Sequence, residues 1–420
     1  MNRVASAYRM AVDLVDFSRR QWRSRQEIEA FQAARLRAVV RHAYTTVPLY
    51  RERFDAVGLR PEQIRDLADL TALPVLRRDD LEAASSAAKL SRAFDPKHLY
   101  SVRTSGSSGK PLRIFSDPSA RRLNKAQFLR ALAAGGYRLG HKLMVLASPH
   151  AAPPALLRWH FVGRDTPPEQ LIPVLRRLRP HFVYGFVTPL RRMAEALLAE
   201  PDRRCRIRAV FSSGETLDRA SRAAIEEAFR ARVYDIWGSA EIGTIGWECP
   251  AHDGLHVAED VAALEFLPMA GSDVAKVVLT SLKGYGMPLL RYEIGDLGAW
   301  ADDAPCPCGR SFKRITKLQG RLIDCLRRPD GKLVPPYPVE AAIEEVPGVR
   351  RFRVVQTDTA AVTVQVVLAN AMPVADGVRA ALQPLLGEAM RVEVEAVADL
   401  EPQPGQKFRL ITSRLGPDRR

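Results

Sequence analysis

Over the first 55 residues, apolar positions recur at helical spacing (Ala30, Ala33, Ala34, Leu36, Val39, Val40, Ala43), which predicts two helices, the second ended by Pro48. The stretch 70–81 predicts a connector into a short helix with Asp79 and Asp80 in its first turn, where the helix dipole favours carboxylates. Short apolar runs at 99–103, 112–115, 143–147, 182–184, 209–212 and 233–236 then predict strands. Longer amphipathic runs at 118–135, 169–178, 189–199 and 219–229 predict helices between them. That alternation predicts an α/β sheet with crossover helices, whose ligands sit at the carboxyl ends of the strands. Beyond residue 260 it stops, and strands at 274–280 and 289–292 with Gly/Pro turns predict a smaller β region. A last segment predicts a helix at 338–345, strands at 351–357 and 361–368, a helix at 374–386 and a strand at 392–396. It reads as a compact α+β terminal domain, with its boundary near Asp324.

Length and composition narrow the class. The 420 residues, 46% hydrophobic and 26% charged, suit two or three folded domains rather than a disordered chain. The net charge of +15 admits a polyanionic partner, and an Arg-rich coding bias explains it equally well. Basic residues come in scattered pairs such as Arg19-Arg20, Arg176-Arg177 and Arg350-Arg351, and no helix-turn-helix, zinc-finger or RNA-binding signature stands out, so nucleic acid is not expected. No apolar run reaches the roughly 18 residues a membrane helix needs. A cytoplasmic protein without membrane attachment is expected. Five cysteines are too few for a disulfide framework.

Candidate chemistry starts at Thr104, Ser105, Gly106, Ser107, Ser108, Gly109, Lys110 and Pro111, between two predicted strands. Converging backbone amides, hydroxyls and one ammonium suit a polyphosphate, while Thr104 and Pro111 break the Walker A pattern. Taken alone, the segment fits a plain surface loop as well. It resembles the phosphate loop of the adenylate-forming enzymes, and further motifs of that superfamily follow in order. Ser213-Gly214-Glu215-Thr216 resembles the loop over adenine. Asp235-Ile236-Trp237-Gly238-Ser239-Ala240-Glu241 resembles the aromatic-Gly-x-Thr-Glu motif, and Tyr292-Glu293-Ile294-Gly295-Asp296 the Tyr-Arg-x-Gly-Asp motif. Gly320-Arg321-Leu322-Ile323-Asp324 is similar to the hinge motif, and Gly405-Gln406-Lys407-Phe408-Arg409 to the carboxy-terminal Gly-Lys motif. The run Val39-Val40-Arg41-His42-Ala43-Tyr44 with Val47-Pro48-Leu49-Tyr50 narrows the likeness to the phenylacetate-CoA ligase branch and its capsule-biosynthesis-type relatives.

The resemblance spans nearly the whole chain. It implies an α/β fold with a large amino-terminal AMP-binding domain of mixed sheets, residues 1–324, including a helical lead-in over 1–95. A small mobile α+β lid, residues 325–420, would carry Lys407. It also implies ATP-dependent activation of a carboxylic acid to an acyl-adenylate, followed by transfer to coenzyme A. By that resemblance Lys407 is the adenylation lysine and Glu241 a Mg²⁺ ligand, a hard cation that suits carboxylate and phosphate oxygens. Asp296 would accept from the ribose hydroxyls, Trp237 would face adenine and Asp235 its exocyclic amine. Arg321 would complete the nucleotide site and Asp324 would be the hinge about which the lid turns. Three positions depart from the family pattern: Ala240 for Thr or Ser, Glu293 for Arg, with Arg291 nearby as a substitute, and Gln406 for Gly.

Cys249, His252, Cys306 and Cys308 offer four ligands in turn-rich sequence around 249–308, which favours structural zinc over reduced, unpaired thiols. His256 competes with His252 for the fourth position. Cys205 and Cys325 read as ordinary thiols. Tyr184, Phe186 and Ser213 border an expected acid pocket whose aromatic walls suit an aryl acid, although aromatic residues at strand ends also build cores. The acceptor stays open between coenzyme A, a carrier-protein thiol and an amine. A catalytically degenerate nucleotide-binding member is the remaining alternative. The expected assembly is a monomer or a homodimer.

Overall fold

A computed structural model of the protein describes residues 3–103, 112–147, 157–199, 206–269, 274–316, 318–369, 372–400 and 408–415. The amino-terminal region forms three helices, Arg3–Arg20, Arg25–Thr46 and Pro48–Ala56, rather than two. Ser24 accepts from the Glu27 amide while the Glu27 carboxylate accepts from the Ser24 amide, so the second helix begins on a capping box. Pro48 opens the third helix at its first position, where the absent N–H breaks no helical bond. The predicted first-turn carboxylates Asp79 and Asp80 stand in the helix Arg78–Ala83.

These helices dock on residues far along the chain. Gln32 donates to the Glu259 carbonyl at 2.8 Å, Arg25 reaches the Glu259 carboxylate at 2.7 Å, and the Tyr50 hydroxyl donates to the Pro288 carbonyl at 3.0 Å. Beside them Arg130 and Asp260, both side chains 1% exposed, form a two-pronged pair at 2.8 and 3.0 Å. The guanidinium stacks within about 5 Å of Trp247, Phe17 and Phe312, so the buried charge is covered by ring faces.

The large sheet runs, in space, Arg314–Ile315, Leu255–Val257, Gly243–Glu248, Arg232–Ser239, Ala209–Ser213, Phe182–Gly185, Leu143–Leu146 and Trp159–Val162. The last five are parallel, and the first three pair antiparallel. Alternation sorts their side chains. Leu143, Val145 and Phe211 face a core with the helix Pro118–Ala134, whereas Met144, Val183 and Val210 face a core with the helices Pro168–Leu178, Val187–Ala199 and Arg219–Phe229.

A second, antiparallel sheet joins Ala262–Pro268, Ala275–Ser281, Tyr292–Gly298 and Gly320–Arg321. The strand expected at 289–292 instead begins at Tyr292, because Arg291 takes a left-handed φ of 48° that extended pairing does not allow. A separate core starts at Leu326 and Val334. It packs the helices Pro336–Glu344 and Ala375–Leu386 against a four-stranded sheet ordered Arg391–Ala396, Ala361–Leu368, Val349–Asp358 and Ile411–Ser413. Among the described residues no helix is long and apolar enough to cross a membrane.

Candidate active site

Three neighbouring parallel strands in the middle of the large sheet carry Tyr184, Ser213 and Asp235 toward their carboxyl ends. The Ser212 hydroxyl donates to Asp235 at 2.7 Å, and the Tyr184 hydroxyl is hydrogen-bonded to Ser213. Burial, reinforced by the nearby Glu248 carboxylate, pushes the Asp235 carboxyl up to about 6. Phe128 meets Tyr184 edge-on at 4.9 Å and Trp159 at 5.9 Å, and all three rings are half-buried. Phe128 and Trp159 escaped the sequence reading. The available signal was that Phe128 is the one aromatic residue in its helix, an anomaly among Ala and Leu. Phe186, half-buried, lies under the Arg164 guanidinium at 5.7 Å.

Trp237, expected to offer an open face to adenine, is only 5% exposed and packs into the core beneath the second sheet. It reaches the site through its indole nitrogen, which donates to Asp296 at 2.9 Å. Arg321 approaches the other Asp296 oxygen at 3.5 Å, so both lobes of this carboxylate are oriented. Gly238 is forced by space: a Cβ there would meet the Gly243 carbonyl at 2.7 Å, so the turn carrying Glu241 closes only over glycine. Gly295 has no such neighbour, and its φ of 83° is what requires glycine. Glu241 is half-buried, and after burial itself its charge is the largest influence raising the Tyr292 hydroxyl. A half-buried carboxylate of this kind suits Mg²⁺, which takes one or two protein oxygens and fills its shell with phosphate and water. Gly214 turns at a φ of 78°, Thr216 is exposed, and the Glu215 carboxylate accepts from the Thr188 amide at 2.7 Å and the Phe408 amide at 3.3 Å. Asp324, 9% exposed, contacts Arg409.

The departures resolve unevenly. Arg291 does not stand in for the arginine expected at 293: it is 6% exposed, bonds Glu265 with two nitrogens and donates to the Thr71 and Leu73 carbonyls. Glu293 lies 3.7 Å from Lys276. Ala240 is exposed. The phosphate-loop residues 104–111, Gln406 and Lys407, and with them Cys205, lie outside the described residues.

At the antiparallel end of the large sheet, Cys249, His256, Cys306 and Cys308 bring four ligand atoms within 4.8 Å of one another. The Cys249 and Cys306 sulfurs are 3.6 Å apart, close to the ~3.8 Å that two sulfurs span around a tetrahedral zinc with 2.3 Å bonds. His256 keeps Nδ1 at 3.0 Å from the Phe312 carbonyl, which turns Nε2 to the thiols, 3.3 Å from Cys308. Burial holds its imidazole down to about 4, hence neutral and ligand-ready, and pushes the Cys249 thiol up to about 12. A thiol so buried loses its proton to solvent only when a cation beside it stabilises the thiolate. His252 is corrected: its backbone turns left-handed at φ 52° and its ring goes to Glu248, at 3.2 Å, over Tyr234.

No protein-family model matches the chain. It is 27% identical over 358 residues, 77% of either chain, to the phenylacetate-coenzyme A ligase of Thermus thermophilus. It is 28% identical over 336 residues, 72% of either, to that of Aromatoleum evansii. Its fold matches a 2-hydroxyisobutyryl-CoA ligase in the postadenylation state with a TM-score of 0.79 at 22% identity, covering 94% of this chain and 92% of that one. The chain is similar in sequence to phenylacetate-coenzyme A ligases and shares its fold with a 2-hydroxyisobutyryl-CoA ligase. The same CoA ligase in its thioesterification state superposes less well, at 0.65, over equal coverage. An amide bond synthetase from Marinactinospora thermotolerans shares the fold at a TM-score of 0.53 and 20% identity, covering 79% of this chain and 73% of that one.

Proposed function

We propose that the protein uses ATP to convert a carboxylic acid, preferably an aryl acid, into an acyl-adenylate with release of pyrophosphate. It then passes the acyl group to coenzyme A and releases AMP. The observation that carries this reading is the oriented Asp296 carboxylate, held by Arg321 and by Trp237, whose strand Arg232–Ser239 also bears Asp235 and leads into the turn with Glu241. Asp296 is poised to accept from both ribose hydroxyls, and Arg321 offers a cation beside them. The half-buried rings Phe128, Trp159 and Tyr184 form an aromatic cluster against which an aryl acid can pack edge-on or stacked.

The acid oxyanion must attack a charged phosphorus, so cations have to neutralise both partners and hold them in line. Glu241 would hold Mg²⁺, which supplies that neutralisation when bound. Lys407 supplies a second cation by resemblance, and the segment around Asp324 serves as the hinge between the two half-reactions. Cys249, His256, Cys306 and Cys308 would hold a zinc, which would be structural because all four ligands would come from the protein.

ATP–pyrophosphate exchange without coenzyme A, run over aryl, fatty and hydroxy acids, tests the first half. Exchange with an aryl acid is the expected result, and silence from folded protein with every class overturns the reading. Faster turnover on adding coenzyme A, but not an amine, tests the acceptor.

A further inference from the structure

Glu215 sits in the loop after the strand Ala209–Ser213, and its two carboxylate oxygens serve opposite sides of the molecule. One oxygen accepts from the Thr188 amide at 2.7 Å. That amide belongs to the first turn of the helix Val187–Ala199, where it has no helical acceptor and where the dipole favours a negative charge. Thr188 therefore fixes the carboxylate in the large lobe. The other oxygen accepts from the Phe408 amide at 3.3 Å. Phe408 belongs to the small lobe, where Arg353 and Arg351 lie over its ring at 4.9 and 5.6 Å. It directly follows Lys407, so their Cα atoms are about 3.8 Å apart whatever the loop does.

Charged groups carry more of this interface. A cavity of about 260 Å³, lined by Glu215, Thr188 and Phe408 among others, separates the lobes here. Across it, Arg219 pairs with Glu345 at 2.6 Å, but both side chains are more than 70% exposed, and exposed pairs contribute little. The Arg219 amide also donates to the Glu344 carboxylate at 2.8 Å, so two carboxylates each hold a backbone amide across the lobes, and Glu215 is the one that holds the segment next to Lys407.

We infer that Glu215 is a positioning residue: anchored on Thr188, it catches the Phe408 amide and so sets where Lys407 stands during adenylation, then lets go when the lobe turns. This rests on the proposed adenylating role of Lys407. It differs from the adenine-loop role that resemblance gives to Glu215, because both oxygens already serve backbone amides of the protein.

The test uses the full-length protein and the variants Glu215→Ala and Glu215→Gln. Amide hydrogen exchange of the peptide containing Phe408, without substrates, should speed up in Glu215→Ala. ATP–pyrophosphate exchange should fall roughly tenfold or more, as loss of a charge-assisted hydrogen bond implies, with thioester formation from supplied acyl-adenylate unchanged. Glu215→Gln, which keeps an acceptor and loses the charge, should fall between. Unaltered exchange at Phe408 would overturn the inference, and so would equal loss of both half-reactions in folded protein. A raised KM for ATP with kcat intact would assign Glu215 to the nucleotide and also overturn it. Should the unmodified protein adenylate no acid, the proposed function fails, while hydrogen exchange at Phe408 still decides the catch.

Discussion

Lys283 is 3% exposed, and its ammonium is placed between Asn124 and Gln127 of the helix Pro118–Ala134. Gln127 in turn donates to the Thr244 carbonyl, just beyond the turn that carries Glu241. Burial pulls the lysine down to about 7, with Arg130 adding to the fall and Asp260 opposing it. The folded value lies below the unfolded 10.5, so between pH 7 and 10.5 the unfolded chain holds a proton that the native state does not. Stability therefore rises with pH across that window, and the cost of the buried charge is full below pH 7. Lys283→Met should flatten this slope by up to about 1 kcal/mol per pH unit, read from urea midpoints at pH 6, 7.5 and 9. Parallel curves for the two proteins would show that the lysine stays charged throughout. At this scale the sequence was readable where motifs named together meet, as Trp237, Asp296 and Arg321 do. It was silent where partners decide, as for Arg291, which resembles a free substitute until its bonds to Glu265, Thr71 and Leu73 are seen.

Elements were legible wherever period and punctuation agreed. The helix Arg219–Phe229 and the strand Ala361–Leu368 fall on their expected bounds, because each has a clean apolar period between polar or glycine-bearing turns. Trp159–Val162 and Gly243–Glu248 were not read as strands: one is a four-residue edge, and the other is interrupted by Gly246. The choice between His252 and His256 was beyond reach for the same reason, since pairing of Arg314 with His256 brings the two knuckle segments into register across 58 residues. Caps are the tractable case. Asp117 opens the helix Pro118–Ala134 by accepting from the Ala120 amide at 2.9 Å, and its other oxygen accepts from the Tyr285 and Gly286 amides at 3.0 and 3.1 Å. Only 2% exposed, it ties that helix to the turn before Pro288. Asp117→Ala should cost about 2–4 kcal/mol, checked by urea unfolding, because three amides lose their acceptor at once. A loss under about 0.5 kcal/mol would mean that water reaches all three.

On the scale of the molecule, the cysteine knuckle fastens the sheet edge to the lead-in helices. Arg310 bonds Gln21 at 2.9 Å and lies over Trp22, and the Ser311 amide donates to the Gln21 carbonyl. If zinc fills the knuckle, the purified protein should carry about one equivalent. Chelation or Cys306→Ser should then lower the thermal midpoint and speed proteolysis within the first 25 residues. A full complement of free thiols with no metal, at an unchanged midpoint, would argue for bare cysteines.

The docking of the lead-in also fixes an order of events during synthesis. Gln32 and Arg25 find their partner at Glu259, and Tyr50 finds its own at Pro288, 227 to 238 residues downstream. At about 5–20 residues per second, these helices wait roughly 10–50 s after they are made before the surface that covers them exists. Leu36, Val39 and Phe54, all 0% exposed in the finished fold, share a core with residues near 255–315 and lack that part of their cover for the interval. The lead-in helices are thus finished long before the surface that receives them, and newly made chains depend on whatever shields those side chains meanwhile.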